Sequence, residues 1–147
     1  MIRIWFCRSK TLAGRLIRWV TFSRWNHVAV EINGLVYEAD MLEGVRTVPV
    51  RQFKRMWTDT EARDIDVPDK VAAFRFLQAQ LGKPYDTLAI LAMPFWRDWQ
   101  DPDKWFCSEF IAKFLVEGGH RDFFIEKHRI WPRDIWIVAP WLITRPA

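Results

Sequence analysis

The chain has few of the residues that build disulfides or metal sites, and it has no long apolar run. Its 147 residues include two cysteines and three histidines. The cysteines form no CxxC pair and no HExxH motif occurs, so we expect reduced thiols, no metal and no other cofactor. No segment approaches the ~18 consecutive apolar residues that a bilayer-spanning helix requires. We therefore expect no transmembrane segment.

The charge balance is mildly basic, and the apolar content is that of a globular protein. Lys and Arg number 22 against 18 Asp and Glu, which gives a formal net charge of +4. Because the basic residues are scattered, we do not expect nucleic acid as a partner, whereas anionic cell-wall polymers or lipid headgroups would suit a basic surface. With 50% apolar and 27% charged residues, the chain is typical of one folded domain, expected to span residues 1–147.

The first residues lack the features of a secretion signal. Residues 1–8, MIRIWFCR, have neither the apolar core nor the small-residue cleavage site of a signal peptide. The alternation of Ile2, Ile4 and Phe6 with Arg3 and Trp5 predicts a strand instead. We therefore expect the protein to be made and folded in the cytoplasm.

An amphipathic helix is predicted around Cys107. Apolar side chains recur at helical spacing on the same stripe as this cysteine: Phe110, Ile111, Phe114 and Leu115. The residues at 101–103 and the pair Gly118-Gly119 bracket the segment as start and stop signals. The unpaired N–H groups and the positive macrodipole end of a first helical turn favour a thiolate. A lone cysteine on an apolar face is more often a small buried hydrophobe, so a nucleophile here needs a base from elsewhere.

The most informative hairpin surrounds the dipeptide Asn33-Gly34. Asn-Gly between two alternating apolar runs is a strong signal for a two-residue type I′ turn. Such a loop sets the register, so we expect residue 32 opposite 35 and residue 30 opposite 37. One face then carries side chains that can enter a core: Val28, Val30, Ile32, Leu35, Tyr37 and Ala39.

The other face of this hairpin carries His27 together with carboxylates. Glu38 lies diagonal to His27 in the predicted register and Asp40 lies directly opposite, both within reach of side-chain contact. A histidine beside a carboxylate is what a general base with an orienting partner requires. The hairpin geometry does not decide between Glu38 and Asp40. The solvated outer face of an antiparallel sheet would have the same composition.

The remaining segments predict an α+β domain, with helices packed on a central antiparallel sheet or small barrel. Helical spacing turns Leu12 and Trp19 inward in the first helix, and Val71 and Phe74 inward in the third. An aromatic loop precedes Cys107. The predicted strands are 2–6, 45–50, 64–67 and 135–138; the predicted helical or apolar segments are 10–20, 52–57, 69–81 and 88–93, and the loop is 95–105.

Three stretches together resemble the circularly permuted NlpC-type branch of the papain-like cysteine hydrolases. They are NHVAV at 26–30 with VYEA at 36–39, KPYD at 83–86, and FCSEF at 106–110. The histidine strand precedes the cysteine helix, which is the order of the permuted branch. The resemblance covers most of the chain and implies a permuted papain-like fold, with the cysteine at the N-terminus of a core helix.

The resemblance also implies a role for each matching polar residue. Cys107 corresponds to the nucleophile, and His27 corresponds to the general base that later acts as an acid. The match at Tyr-Glu-Ala favours Glu38 over Asp40 as the residue that orients the imidazole.

Two further residues are expected to contact the substrate or its oxyanion. Tyr85 matches a tyrosine near the site that orients substrate or assists the oxyanion. The backbone N–H of Cys107 or Ser108, at the start of the helix, is the natural oxyanion donor.

The leading hypothesis is a thiol hydrolase, a cysteine amidase or peptidase that cleaves amide bonds through an acyl-enzyme intermediate. The NlpC-type resemblance implies cell-wall peptides as the substrate, in a bacterial or phage context. Because peptidoglycan lies outside the cytoplasm, this hypothesis requires phage lysis, virion delivery or a dedicated secretion route.

Two alternatives stay open. The same chemistry on lipid acyl or thioester groups would make the protein a lipid hydrolase or acyltransferase, with Trp96, Trp99 and Trp105 lining an apolar groove. Large aromatics more often cover a core. A papain-like scaffold without catalysis would be a binding or assembly module, which the complete Cys, His and Glu set argues against.

Overall fold

A computed structural model describes residues 1–86, 104–120 and 130–142. These residues form an α+β structure with five strands and five α-helices. The strands are β1 (Ile2–Arg8), β2 (His27–Ile32), β3 (Leu35–Asp40), β4 (Gly44–Pro49) and β5 (Asp59–Ile65). The helices are α1 (Leu12–Thr21), α2 (Val50–Arg55), α3 (Lys70–Gln80), α4 (Cys107–Glu117) and α5 (Pro132–Val138), and a 3₁₀ turn, Ala139–Trp141, follows α5.

The five strands form one antiparallel sheet in the order β4-β3-β2-β1-β5. The predicted α+β class with a central antiparallel sheet is confirmed, and the sheet is open rather than closed into a barrel. Helix α4 packs against β2 and β3 and also contacts α3. It buries Phe110, Ile111 and Phe114 in the main core. This packing brings the start of α4 to the middle of the sheet.

The hairpin register at Asn33-Gly34 is confirmed. Ile32 pairs with Leu35 and Val30 pairs with Tyr37. Both turn residues have positive φ, 51° for Asn33 and 84° for Gly34, as a type I′ turn requires.

The second face of the sheet is covered, so the alternative of a solvated outer face is wrong. His27 keeps 6% of its surface exposed and Glu38 keeps 0%. Helix α2 and the residues after it lie over this face and supply Phe53 and Trp57. The small second core is made of Trp5, Cys7, Ala29, Val36, Val48 and Phe53, with Val50, Trp57 and Ala62 packed against it.

The prediction of a last strand at 135–138 is wrong, because those residues belong to α5. Pro132 occupies the first turn, where its missing N–H costs nothing, and Asp134 accepts a hydrogen bond from Trp131 N at 2.8 Å. The spacing of a short apolar run does not distinguish a strand from a buried helix. Here Pro132 and Asp134 favour the helix, because both are typical of a first helical turn.

Other boundaries and faces differ from the sequence predictions. Strand β5 runs from Asp59 to Ile65, whereas a strand was expected at 64–67. Several side chains expected to point inward are exposed: Leu12 and Trp19 on α1, Leu35 on β3, Val71 and Phe74 on α3, and Leu81 after α3. The predicted segment 88–93, and the part of the predicted aromatic loop at 95–103, lie outside the described residues.

Helix α4 begins at Cys107 and ends before Gly118, as predicted. Both cysteines are free. In the described part of the chain, no helix combines the length and the apolar character needed to cross a bilayer.

Candidate active site

Two elements bring Cys107 and His27 together. His27 is the first residue of β2 and Cys107 is the first residue of α4, which packs across β2 and β3. Cys107 is fully buried, and its side chain is close enough to the imidazole of His27 to raise the pKa of that ring. The chain folds so that an imidazole and a thiol far apart in sequence lie close together.

The imidazole of His27 also contacts the carboxylate predicted to orient it. His27 Nε2 lies 2.9 Å from Glu38 Oε2, inside the protein. Because Nε2 faces Glu38, the ring nitrogen left for the sulfur of Cys107 is Nδ1. The imidazole therefore lies between a carboxylate and a thiol, which is the arrangement of a base with an orienting partner.

The surroundings of His27 favour its protonated form. Burial lowers the pKa of His27, but hydrogen bonds and charge interactions with Cys107 and Glu38 outweigh burial and raise the pKa from 6.5 to about 10. A proton on this ring is therefore retained at neutral pH, where it can pair with a thiolate.

Glu38 is held by a second partner that the sequence analysis did not identify. Arg46 donates two hydrogen bonds to Glu38 Oε1, from Nε at 3.0 Å and from Nη2 at 2.8 Å. Burial raises the pKa of Glu38, but His27 and Arg46 outweigh burial and lower the pKa below its ordinary value. Glu38 is therefore a buried carboxylate kept ionised by two cationic neighbours.

Asp40, the other carboxylate considered as the partner that orients His27, is bound by other groups. Its Oδ1 accepts hydrogen bonds from the backbone N–H groups of Leu42 and Glu43, both at 3.0 Å, and its Oδ2 lies 3.2 Å from Arg46. No hydrogen bond joins Asp40 to His27 among the described residues. Asp40 thus supports the β3–β4 turn and the position of Arg46.

Tyr85 lies beside Cys107, as the resemblance implied. Its backbone forms a bridge to Trp105, and the preceding Lys83 accepts a hydrogen bond from Val45 N at 2.8 Å. Burial, and then Cys107, raise the pKa of Tyr85 well above its ordinary value. The phenol therefore stays protonated and can donate a hydrogen bond towards the sulfur.

Close packing at Gly44 holds the segment that carries Tyr85. Gly44 has φ of 73°, and a Cβ built on it would lie 2.3 Å from the carbonyl oxygen of Lys83. Any side chain at this position would push the two backbones apart.

The hydroxyl of Ser108 is used to hold the helix rather than to face a substrate. Ser108 is fully buried and its Oγ donates to the carbonyl oxygen of Ile130 at 2.5 Å. The helix begins after Phe106, which makes no side-chain cap hydrogen bond. First-turn N–H groups have no acceptor within their own helix. At Ser108, the backbone N–H rather than the hydroxyl is therefore the group suited to binding an oxyanion.

Trp57 is a further neighbour of the site that the sequence did not reveal. Its ring stacks on the imidazole of His27, with ring centroids 4.7 Å apart and planes 15° apart. An aromatic face attracts a cationic ring and keeps water away from it. Arg46 lies directly opposite Glu38 in the β3–β4 ladder, so the register of these two strands would have identified it. Trp57 lies between α2 and β5, at the end of the segment predicted at 52–57, and that pattern does not show which residue the ring covers.

Cys7 is buried near the site but has the surroundings of a structural residue. It pairs with His27 across β1 and β2 and belongs to the second core. Burial raises the pKa of Cys7 well above its ordinary value, so it remains a thiol.

The fold has a counterpart among solved structures. The crystal structure of the metalloprotein yiiX from Escherichia coli O157:H7, DUF1105, is similar to it, with a TM-score of 0.61 and 22% sequence identity. The similarity covers 80% of this chain, which spans 65% of the length of that one. At this identity the likeness shows the fold alone. No protein-family model and no curated protein matches the sequence.

The described polar groups beside Cys107 form no metal-binding cluster. Within residues 1–86, 104–120 and 130–142, no three His, Cys, Asp or Glu side chains are grouped so as to hold a metal ion. Both oxygens of Glu38 are engaged, one by His27 and the other by Arg46.

Proposed function

We propose that the protein is a thiol hydrolase of the permuted papain-like type, acting on amide bonds through an acyl-enzyme intermediate. One observation carries the proposal: the buried His27 contacts Glu38 and lies close enough to Cys107 for the sulfur to raise its pKa. A thiol beside an imidazole, with the imidazole held by a carboxylate, is the constellation of nucleophilic catalysis by cysteine.

Acylation begins with His27 protonated, as its raised pKa favours, and with Cys107 Sγ as the thiolate that pairs with it. The thiolate attacks the amide carbonyl carbon, an S–C bond forms, and the carbonyl π electrons move to the oxygen. When the tetrahedral intermediate collapses, the C–N bond breaks and the imidazolium gives its proton to the leaving nitrogen. A thioester on Cys107 and a free amine result.

Deacylation uses the same groups with water as the nucleophile. His27 takes a proton from water as the oxygen attacks the thioester carbon, and the C–S bond then breaks. The sulfur leaves as a thiolate while His27 keeps the proton taken from water, so the carboxylic acid is released and the thiolate–imidazolium pair is restored. Glu38 keeps the imidazole oriented throughout and stabilises its positive charge.

The oxyanion has two sets of donors within reach of the sulfur. The first-turn N–H groups at Cys107 and Ser108 lie at the positive end of α4, which favours developing negative charge. The phenol of Tyr85, which stays protonated, is a second donor. This assignment gives Ser108 a role through its backbone and leaves its hydroxyl to Ile130.

The proposed substrate is a peptide of the bacterial cell wall, by resemblance to the NlpC-type branch. The lipid-acyl alternative relies on Trp96, Trp99 and Trp105, of which only Trp105 is described. Trp105 packs edge-on against Phe76 and Phe110, with centroids 5.6 and 5.9 Å away, and donates to Gln80 at 3.2 Å. It covers the core, and no observation at this residue favours a lipid groove.

Because Cys107 is fully buried, a substrate reaches the sulfur only after a neighbouring group moves. His27 and Tyr85, the two rings whose pKa values Cys107 raises, are 6% and 8% exposed. The acyl group is therefore expected to enter between these two rings.

The test measures release of soluble fragments from purified peptidoglycan. Wild-type protein is expected to release muropeptides, and Cys107→Ala is expected to release none. Cys7→Ala is the matched control, since it removes the other buried thiol and should keep activity if circular dichroism shows that it folds. Mass spectrometry after treatment with a thiol-directed acyl probe should locate the adduct on Cys107. Full activity of Cys107→Ala would refute the mechanism, and an unreactive Cys107 would favour a binding module.

A further inference from the structure

The outward face of α1 is apolar, although α1 is a surface helix. Gly14, Ile17 and Thr21 are buried beneath the helix. On the opposite side Leu12 and Trp19 are 83% and 72% exposed, and Phe22, which ends the helix, is 83% exposed. Leu12 and Trp19 are seven positions apart and therefore share one helical face; together with Phe22, the residue that follows the last turn, they are here called the α1 patch.

The α1 patch is surrounded by positive charge. Residues 1–30 contain no Asp or Glu. Arg8, Lys10 and Arg15 are exposed and form no ion pair in the described part of the chain. Burial lowers the pKa of Arg18, and the charges of Arg8 and Arg15 lower it further, so these guanidinium groups are close enough to repel one another. The surroundings of the patch therefore attract an anionic partner.

Phe22 occupies a backbone conformation that favours glycine or asparagine. Its φ is 48°, in the left-handed region, at the end of the helix. An exposed phenylalanine at this position satisfies neither local backbone preference nor core packing. It adds a large exposed apolar side chain at the C-terminal end of α1.

We propose that the α1 patch docks the protein on an anionic lipid surface. Leu12, Trp19 and Phe22 would enter the boundary between headgroups and acyl chains, while Arg8 and Arg15 would contact lipid phosphates. A short helix with Trp, Phe and Leu on its outer face and unpaired arginines around it is typical of interfacial membrane binding. A second copy of the chain is a poor occupant, because two such patches face to face would bring like charges together.

Docking of the α1 patch on lipid does not require catalysis by Cys107, so the experiment measures binding of the protein to vesicles. The protein is sedimented with vesicles of phosphatidylcholine, with and without phosphatidylglycerol, at low and high salt. Binding is expected with phosphatidylglycerol, to weaken as salt is raised, and to be much weaker with phosphatidylcholine alone. The double variant Leu12→Ser/Trp19→Ser should bind at least about tenfold more weakly. Each of Arg8→Gln and Arg15→Gln should weaken binding about fivefold.

The variant Phe22→Gly tests whether a loss of vesicle binding can occur without a loss of stability. Glycine suits the positive φ, so this variant should melt at the wild-type temperature or above, and yet bind vesicles more weakly. Val71→Ser and Ile137→Ser are matched controls, since these apolar side chains on α3 and α5 are 68% and 56% exposed. They should bind vesicles like the wild type.

Three results would overturn the proposal. The first is a wild-type protein that stays in the supernatant with anionic vesicles at low salt. The second is equal binding by the wild type and Leu12→Ser/Trp19→Ser. The third is competition by a duplex oligonucleotide whose own binding needs Arg8 and Arg15 but not Leu12 or Trp19, which would assign the surface to nucleic acid.

Discussion

Arg46 and Glu38 face each other across β3 and β4, and Arg46 donates two hydrogen bonds to a single oxygen of the Glu38 carboxylate. The other oxygen of Glu38 lies 2.9 Å from His27. Arg46 therefore fixes the plane of the carboxylate that orients the imidazole. It also supplies a charge that keeps this fully buried group ionised. In the proposed reaction Arg46 is a positioning residue that acts through Glu38.

Replacing Arg46 with methionine should change the pH profile as well as the rate. Arg46→Met removes a cation that lowers the pKa of Glu38, so the pKa rises and the acidic limb of kcat/KM moves to higher pH. The free energy of unfolding should fall by about 2 kcal/mol, because a buried carboxylate loses a charged partner. Arg46→Lys keeps the charge and should restore much of the acidic limb. An unchanged limb in Arg46→Met would contradict a role through Glu38.

Catalytic activity should fall much more when the carboxylate of Glu38 is made neutral than when that of Asp40 is. Glu38→Gln keeps the shape of the side chain but removes the charge that stabilises imidazolium, so kcat should fall about a hundredfold with little change in KM. Asp40→Asn weakens a turn and one ion pair at the surface, and activity should stay within about threefold of wild type. Kinetics on the same peptidoglycan preparation compare the two variants. A larger loss for Asp40→Asn would assign the orienting role to Asp40.

The elevated pKa of His27 predicts how stability depends on pH. The pKa is about 10 in the folded protein against 6.5 ordinarily, so between these values the folded state holds a proton that the unfolded state has lost. This contribution to stability is complete below pH 6.5 and is lost as the pH rises through 10, with a slope of at most about 1.4 kcal/mol per pH unit. Urea unfolding at several pH values measures it. His27→Gln should flatten the slope, and identical slopes for both proteins would contradict the prediction.

Two glycines with positive φ provide a matched test of the packing behind Tyr85. Gly44→Ala places a Cβ 2.3 Å from the backbone of Lys83, whereas Gly34→Ala has no atom within 4 Å to meet. Both substitutions cost about 1 kcal/mol or more from the backbone conformation alone. Gly44→Ala should cost more stability and should also lower activity, because the segment leading to Tyr85 must shift. Thermal melts and assays of both variants check this, and equal losses would argue against the contact.

The hairpin and the start of the cysteine helix were predictable because each depends on local signals. Asn33-Gly34 defines a turn whose length determines which residues pair, and this alone brings Glu38 near His27. Helix α4 was marked by its apolar spacing and by the glycines after it. These two elements contain Cys107, His27 and Glu38. Their contacts agree with the sequence interpretation, while their catalytic roles stay a prediction.

What the sequence did not reveal depends on contacts between distant segments. The covering of the second sheet face by Phe53 and Trp57 comes from the packing of α2 against β3 and β4, a contact between elements that no periodicity encodes. Arg46 comes close to Glu38 through a ladder whose connecting turn has no distinctive dipeptide. The apolar run of α5 was too short for its spacing to distinguish helix from strand.

During synthesis, His27 and Glu38 leave the ribosome within one hairpin, and Cys107 follows much later. Local pairing can thus assemble the imidazole against its carboxylate while the sulfur has yet to be translated. In the proposed reaction the nucleophile is the last part to be added, so a truncated translation product that stops short of α4 carries no reactive centre.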